Sequence, residues 1–227
     1  MNPDFEIEPS YQIYYSFTSS VDDDEPGLNY INDISIELAI TDESGNRLKT
    51  IGKARLKIIL LTSTEKQGVD PMYIFDSDGL LMEIGEQIYD FDEQAIKEDV
   101  LELIDFEISN DDIAVLTSFE LLPEYRKMGL GRALIKDIYT RFQSSCDLIV
   151  LKVFPLQYNR RIADQEWQKE MEYDKLEKDF EMSEYKLKAF YKSVGFTYLE
   201  QHPDLMFLFT SQMNPILDNI DSFEDVF

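Results

Sequence analysis

The chain has 227 residues, of which 46 are acidic and 21 are basic, giving a formal net charge of −25. Binding to nucleic acids or anionic membranes normally depends on Lys and Arg side chains, so we expect neither as a partner. The hydrophobic fraction of 44% provides ample material for a core, and the length fits a single domain over residues 1–227.

The first 99 residues contain two periodicities. Polar and apolar residues alternate in three stretches, 11–17, 34–40 and 54–60. The first predicts a strand, and the other two predict a hairpin. Between about 71 and 99 the apolar residues return at helical spacing, which predicts one or two helices with Asp76 or Ser77 as the N-cap.

The middle of the chain predicts a strand, a helix and a second strand. Residues 113–122 form an almost unbroken apolar run, typical of a strand that is buried on both faces. A helix from Gly129 to about Gln143 follows, and 148–154 is another buried strand. The short connections favour a crossover between parallel neighbours.

The last third begins with a charged segment, 158–182, whose apolar residues keep helical spacing and predict an amphipathic helical insertion. A further helix ends at Gly195, a typical C-terminal stop. A hairpin over 196–209 and a tail over 211–227 complete the predicted elements.

The most informative stretch is the turn between the strand 113–122 and the helix after it. Backbone N–H groups at a helix N-terminus bind anions, and Gly129 and Gly131 let oxygen atoms approach closely. Arg126, Lys127 and Arg132 add positive charge. Neither the Walker pattern nor the dinucleotide fingerprint fits, which leaves a short pyrophosphate-binding turn or an ordinary glycine-rich helix start.

Two motifs in this part of the chain match a known family. The first is Pro123-Glu124-Tyr125 followed by Arg126-Lys127-Met128-Gly129-Leu130-Gly131, and the second is Phe190-Tyr191-Lys192-Ser193-Val194-Gly195-Phe196. Residues 100–210 thereby resemble the GNAT-type N-acetyltransferases. The resemblance implies an α/β fold with a mixed, mostly antiparallel sheet, splayed parallel strands and flanking helices, and it leaves 1–99 as a divergent N-terminal half.

The same resemblance implies acetyl-CoA as a cosubstrate and no metal. It implies that Leu121 and Leu122 pair with the pantetheine chain, and that the coenzyme pyrophosphate is held by a loop of seven residues: Arg126, Lys127, Met128, Gly129, Leu130, Gly131 and Arg132. Tyr191 matches the tyrosine that protonates the departing thiolate, with a core aromatic role as the alternative. At Glu184 the chain departs from the family, which often has Asn there.

Glu120 is the candidate general base, because it is the only carboxylate inside the apolar strand. An outward-facing strand residue or an ion-pair partner is an equal alternative for it. A backbone amide near Leu121 or Leu122 is placed to polarise the thioester carbonyl.

The expected function is an N-acetyltransferase in which a primary amine attacks acetyl-CoA directly. The acid surplus favours a cationic acceptor, either a small molecule or a peptide. The alternative is a noncatalytic protein of the same fold that docks a basic partner through its acidic surface or the 158–182 segment.

Cellular location is inferred from the cysteine content and the N-terminus. Cys146 is the only cysteine, so neither an internal disulfide nor a cysteine metal cluster is expected. The acidic N-terminus does not resemble a secretory signal, and the hydrophobic runs are too short to span a bilayer. We therefore expect a cytoplasmic protein.

Overall fold

A computed structural model describes residues 10–19, 26–104, 108–158, 165–211 and 213–220. Its central element is a six-stranded sheet of order β1-β2-β3-β6-β7-β8. The strands are β1 Ser10–Thr18, β2 Ile31–Thr41, β3 Arg47–Ile59, β6 Ile113–Leu121, β7 Leu148–Lys152 and β8 Leu205–Phe209. A separate short ladder joins β4 Tyr89–Asp90 to β5 Ala95–Ile96. The strand over 11–17 and the hairpin after it are thus confirmed.

Helices cover both faces of the sheet. They are α1 Leu61–Gln67, α2 Pro71–Phe75, α3 Gly79–Ile88, α4 Glu98–Leu101, α5 Leu130–Phe142, α6 Gln165–Glu170, α7 Phe180–Lys192 and α8 Pro215–Asp218. On β6, Ala114 and Leu116 join the apolar cluster that contains α5 and α7 residues, whereas Ile113 and Val115 join the cluster that contains residues from α1 to α4. The predicted burial of this strand on both faces is confirmed for Ile113–Leu116, whereas the residues from Thr117 to Leu121 are only half-buried.

All neighbouring strands of the sheet are antiparallel except β6 and β7, which are parallel and connected through α5. This arrangement confirms the expected mixed, mostly antiparallel sheet with flanking helices. The parallel pairing is short, because only Ile113–Val115 pair with Leu148–Val150. From Leu116 to Leu121, β6 pairs with β3 alone. The two parallel strands therefore separate, as the fold expected from the motifs requires.

Two predicted details differ from the structure. The N-cap of α3 is Asp78, whose carboxylate accepts a hydrogen bond from the Leu80 N–H at 2.8 Å, so the assignment to Asp76 or Ser77 was wrong. The chain forms two short helices here, and Asp76 ends the first of them.

Residues 159–164 of the charged segment 158–182 lie outside the described residues, and the rest of it contains less continuous helix than its apolar spacing predicted. Helix α6 has six residues, and Glu172 interrupts the path with a φ of 49°. The next helix, α7, already begins at Phe180, behind an Asp179 carboxylate that accepts from the Met182 N–H. No helix among the described residues is long and apolar enough to cross a membrane.

Candidate active site

A cleft of about 900 Å³ opens where β6 and β7 separate. Its walls are the second half of β6, the loop before α5, the chain that follows β7, and one face of α7, in ranges 116–121, 126–132, 152–157 and 183–191. The segment 171–177 from the predicted insertion closes another side. The gap in the sheet is thus part of the cleft.

The backbone of β6 presents unpaired groups to this gap. The Leu122 N–H donates to the Ile51 carbonyl at 2.9 Å, on the β3 side. Since backbone groups alternate in direction along an antiparallel strand, those of Phe119 and Leu121 face the opposite side, toward the gap. The Leu121 carbonyl there accepts a hydrogen bond from Arg126 Nε at 2.8 Å.

The loop before α5 presents a row of backbone donors. The first hydrogen bonds of the helix are donated by the N–H groups of Arg132 and Ala133 to the Gly129 carbonyl. The five preceding amides, Lys127–Gly131, donate to no group in the described parts of the chain. Lys127 and Gly129 have positive φ values of 66° and 85°, which turn the chain sharply into the helix. Such free amides at a helix N-terminus form an anion site.

Side-chain charge in the cleft is opposite in sign to that of the whole chain. Six basic residues line the cleft: Arg126, Lys127, Arg132, Lys152, Lys175 and Lys186. Only Glu120 and Glu177 provide acidic side chains in the same lining. Arg132 lies near the far end of α7, where its Nη2 donates to the Ser193 carbonyl at 3.2 Å.

The structure brings most of the predicted coenzyme-binding residues together. The cleft is lined by Leu121, Arg126, Lys127, Gly129, Gly131 and Arg132. The side chains of Leu122 and Leu130 are fully buried elsewhere, and Met128 lies outside the lining with 39% of its surface exposed. Leu122 and Leu130 can therefore meet a ligand only through their backbone, and the Leu122 N–H is already bonded to Ile51.

Tyr191 is both a core residue and a cleft residue. Its ring packs edge-to-face against Phe190 and Phe196, with centroids 5.2 and 5.4 Å away. Its hydroxyl donates no hydrogen bond to the residues that the structure describes, and burial raises the pKa of Tyr191 above its ordinary value. A core aromatic role and a proton-donor role are thus compatible for Tyr191.

Glu120 lines the cleft and has a partner that the sequence did not indicate. The Tyr173 hydroxyl donates a hydrogen bond to its carboxylate. Burial, followed by this hydrogen bond and the charge of Glu120, raises the pKa of Tyr173. Burial lowers the pKa of the nearby Arg126 guanidinium, an effect that the charges of Tyr173, Glu172 and Glu120 oppose. Glu120 is therefore neither a plain outward-facing residue nor an ion-pair partner within the described residues.

Other reactive side chains lie away from the cleft. Cys146 is fully buried, and its burial raises the pKa of the thiol to about 12. His202 contacts Asp99 through Nε2 at 3.0 Å. Across the described ranges, no group of three or more His, Cys, Asp and Glu side chains is arranged to hold a metal ion.

No protein-family model and no curated protein matches this chain. Solved structures with a similar chain path include a KacTA–DNA complex, at 11% identity and a TM-score of 0.39, covering 88% of this chain and 94% of that chain. AtaTR bound with AcCoA is 10% identical, with a TM-score of 0.39 and coverages of 87% and 93%. NAA60 from Arabidopsis thaliana in complex with acetyl-CoA is 18% identical, with a TM-score of 0.35 and coverages of 77% and 76%.

Proposed function

We propose that the chain is an acetyl-CoA-dependent N-acyltransferase that acetylates a primary amine on a cationic small molecule or peptide. The observation that supports this most directly is the local reversal of charge. Six basic side chains, three of which pair with carboxylates, and a row of amides that donate to no described residue surround one cleft in a chain of net charge −25. A ligand with several phosphate charges explains why the cations are concentrated there.

The dimensions and chemistry of the cleft fit this cosubstrate. The amides of Lys127–Gly131 would hold the pyrophosphate, with Lys127 and Arg132 adding charge. The edge of β6 offers the N–H and C=O of Phe119 and the N–H of Leu121 to an amide-containing chain such as pantetheine. A volume of about 900 Å³ suits a ligand of this size.

Bound acetyl-CoA would supply the acetyl group as a thioester. Glu120 would accept a proton from the attacking amine, and the Leu121 N–H would donate to the carbonyl oxygen as negative charge develops there. The Tyr191 hydroxyl would give its proton to the sulfur as the carbon–sulfur bond breaks. Since Glu120 gains one proton and Tyr191 loses one, a proton exchanged through solvent restores both residues.

The test combines binding with turnover. Acetyl-CoA should raise the melting temperature, because a ligand concentration of about 100 times Kd adds about 2.7 kcal/mol to the free energy of unfolding. Release of the CoA thiol should then be measured with polyamines, aminoglycosides, amino acids and basic peptides. Binding without turnover on the whole panel would contradict catalysis on these amines. Absence of any acetyl-CoA effect would favour the noncatalytic interaction protein instead.

A further inference from the structure

Residues 165–177, called the strap below, are fixed to the end of β6. Trp167 and Met171 are 5% and 3% exposed and pack against the fully buried Leu122. Lys53 of the neighbouring strand places its Nζ 4.4 Å from the centroid of the Trp167 ring. These contacts attach the first half of the strap to the sheet beside the cleft.

Beyond this anchor the strap turns into the cleft. Glu172 has a φ of 49°, and Tyr173–Lys175 form a single 3-10 turn directly after it. This turn brings the Tyr173 hydroxyl to the Glu120 carboxylate. The path of the strap thus ends in a specific polar contact with the candidate base.

Among the described residues, Tyr173 is the only hydrogen-bond donor to the Glu120 side chain, which forms no ion pair there. The charged groups around the pair are Arg126 from the loop, Glu172 from the strap and Lys53, which faces Glu120 across the β3–β6 ladder. The Arg126 guanidinium is directed elsewhere, since Nε bonds the Leu121 carbonyl and Nη2 lies 4.0 Å from Met171 Sδ. The orientation of the carboxylate therefore depends on Tyr173.

We propose that Tyr173 is a positioning residue, whose hydroxyl holds one oxygen of Glu120 so that the other oxygen remains directed at the acceptor amine. This role rests on the proposed function. It assigns different tasks to the two tyrosines of the cleft. The Tyr173 hydroxyl is engaged by Glu120, whereas the Tyr191 hydroxyl makes no such bond within the described residues and is available to the leaving group.

The test is Tyr173→Phe, with Tyr185→Phe as the matched control because Tyr185 is 68% exposed and lies outside the cleft lining. We expect acetyl-CoA affinity to be unchanged and kcat to fall by about 10-fold to 100-fold, as misplaced catalytic groups cause. The loss should appear in kcat, with the KM for the acceptor amine little changed, because Tyr173 contacts the base and not the amine. In a Glu120→Gln background the same change should have no further effect.

Folding of each variant is checked by the emission of Trp167, the single tryptophan of the chain, which lies in the strap itself. If the wild-type chain is active and Tyr173→Phe matches it in kcat, the positioning role is wrong and the proposed function stands. If Tyr173→Phe and Glu120→Gln lower kcat additively, the two residues act separately and the role is also wrong. A wild-type chain that binds acetyl-CoA and acetylates no amine overturns both proposals.

Discussion

A carbon atom added at Gly131 would lie 3.5 Å from Cζ of Phe190, an ordinary van der Waals distance. The Phe190 ring stacks on that of Phe119 with centroids 6.0 Å apart, so this glycine faces two aromatic rings at the cleft. The protein leaves room for a methyl group here. Packing of the protein itself therefore does not require glycine at position 131, whereas close approach of a ligand to the loop amides would.

Gly131→Ala should consequently separate stability from binding. Replacing glycine by alanine in the first turn of α5 should raise the free energy of unfolding by up to about 1 kcal/mol. The added methyl should obstruct the close approach of a phosphate to the loop amides, so acetyl-CoA should bind at least about 10-fold more weakly, a loss of about 1.4 kcal/mol. Urea denaturation and calorimetry measure the two effects. Equal affinity in the variant would place the ligand away from this loop.

The two exposed cations of the loop should each strengthen acetyl-CoA binding. Lys127→Gln and Arg132→Gln each remove an exposed cation of the cleft, and each should weaken acetyl-CoA binding by roughly 2-fold to 5-fold. The loss should shrink as salt is added, because exposed charges are screened. Lys188→Gln is the control, since Lys188 pairs with Glu184 on α7 outside the cleft lining. A comparable loss in the control would point to the general charge of the chain.

Tyr191→Phe tests the proton donor. We expect kcat to fall by roughly 100-fold, in the range for a lost general acid, with acetyl-CoA affinity unchanged. Because burial raises the pKa of Tyr191 above its ordinary value of about 10, the hydroxyl stays protonated as the pH rises. The rate should therefore not decline between about pH 8 and 10 through loss of this proton. A descending limb in that interval that disappears in Tyr191→Phe would contradict the raised pKa, whereas an unchanged kcat in Tyr191→Phe would contradict the proton-donor role.

Cys146 should be inert in the folded chain. The thiol is fully buried and its pKa is raised to about 12, so almost no thiolate exists at pH 8. A disulfide reagent such as 5,5′-dithiobis(2-nitrobenzoate) should label it only after unfolding in urea. Rapid labelling of the native chain would show that the region around α5 opens easily. Slow labelling would also mean that Cys146 adds no background to an assay of CoA thiol release.

The elements that support the cleft could be predicted because each has a strong local pattern. The apolar run 113–122 corresponds to β6 Ile113–Leu121, and the fourfold spacing after Gly129 corresponds to α5 Leu130–Phe142. Such runs report burial on a strand or a helix face without reference to the rest of the chain. The motif residues of the loop follow from their position between these two elements.

The contact between Tyr173 and Glu120 could not be predicted in this way. The two residues are 53 positions apart, and the turn that joins them depends on the left-handed backbone of Glu172, a residue type with no preference for that conformation. The apolar residues of 158–182 kept helical spacing, yet Trp167 and Met171 are buried whereas Phe180 is 40% exposed. Tertiary contacts with Leu122, not helical periodicity, determine the path of the strap.

The short pairing of β6 with β7 has a consequence for how the sheet is completed. Only three residue pairs join these strands, and the free edge beyond Val115 lacks the ladder bonds that slow exchange of backbone hydrogens elsewhere in the sheet. An occupant that bonds to this edge would act as a missing strand segment between β6 and the chain after β7. The two halves of the sheet would then be held together partly by a molecule that leaves at the end of every turnover.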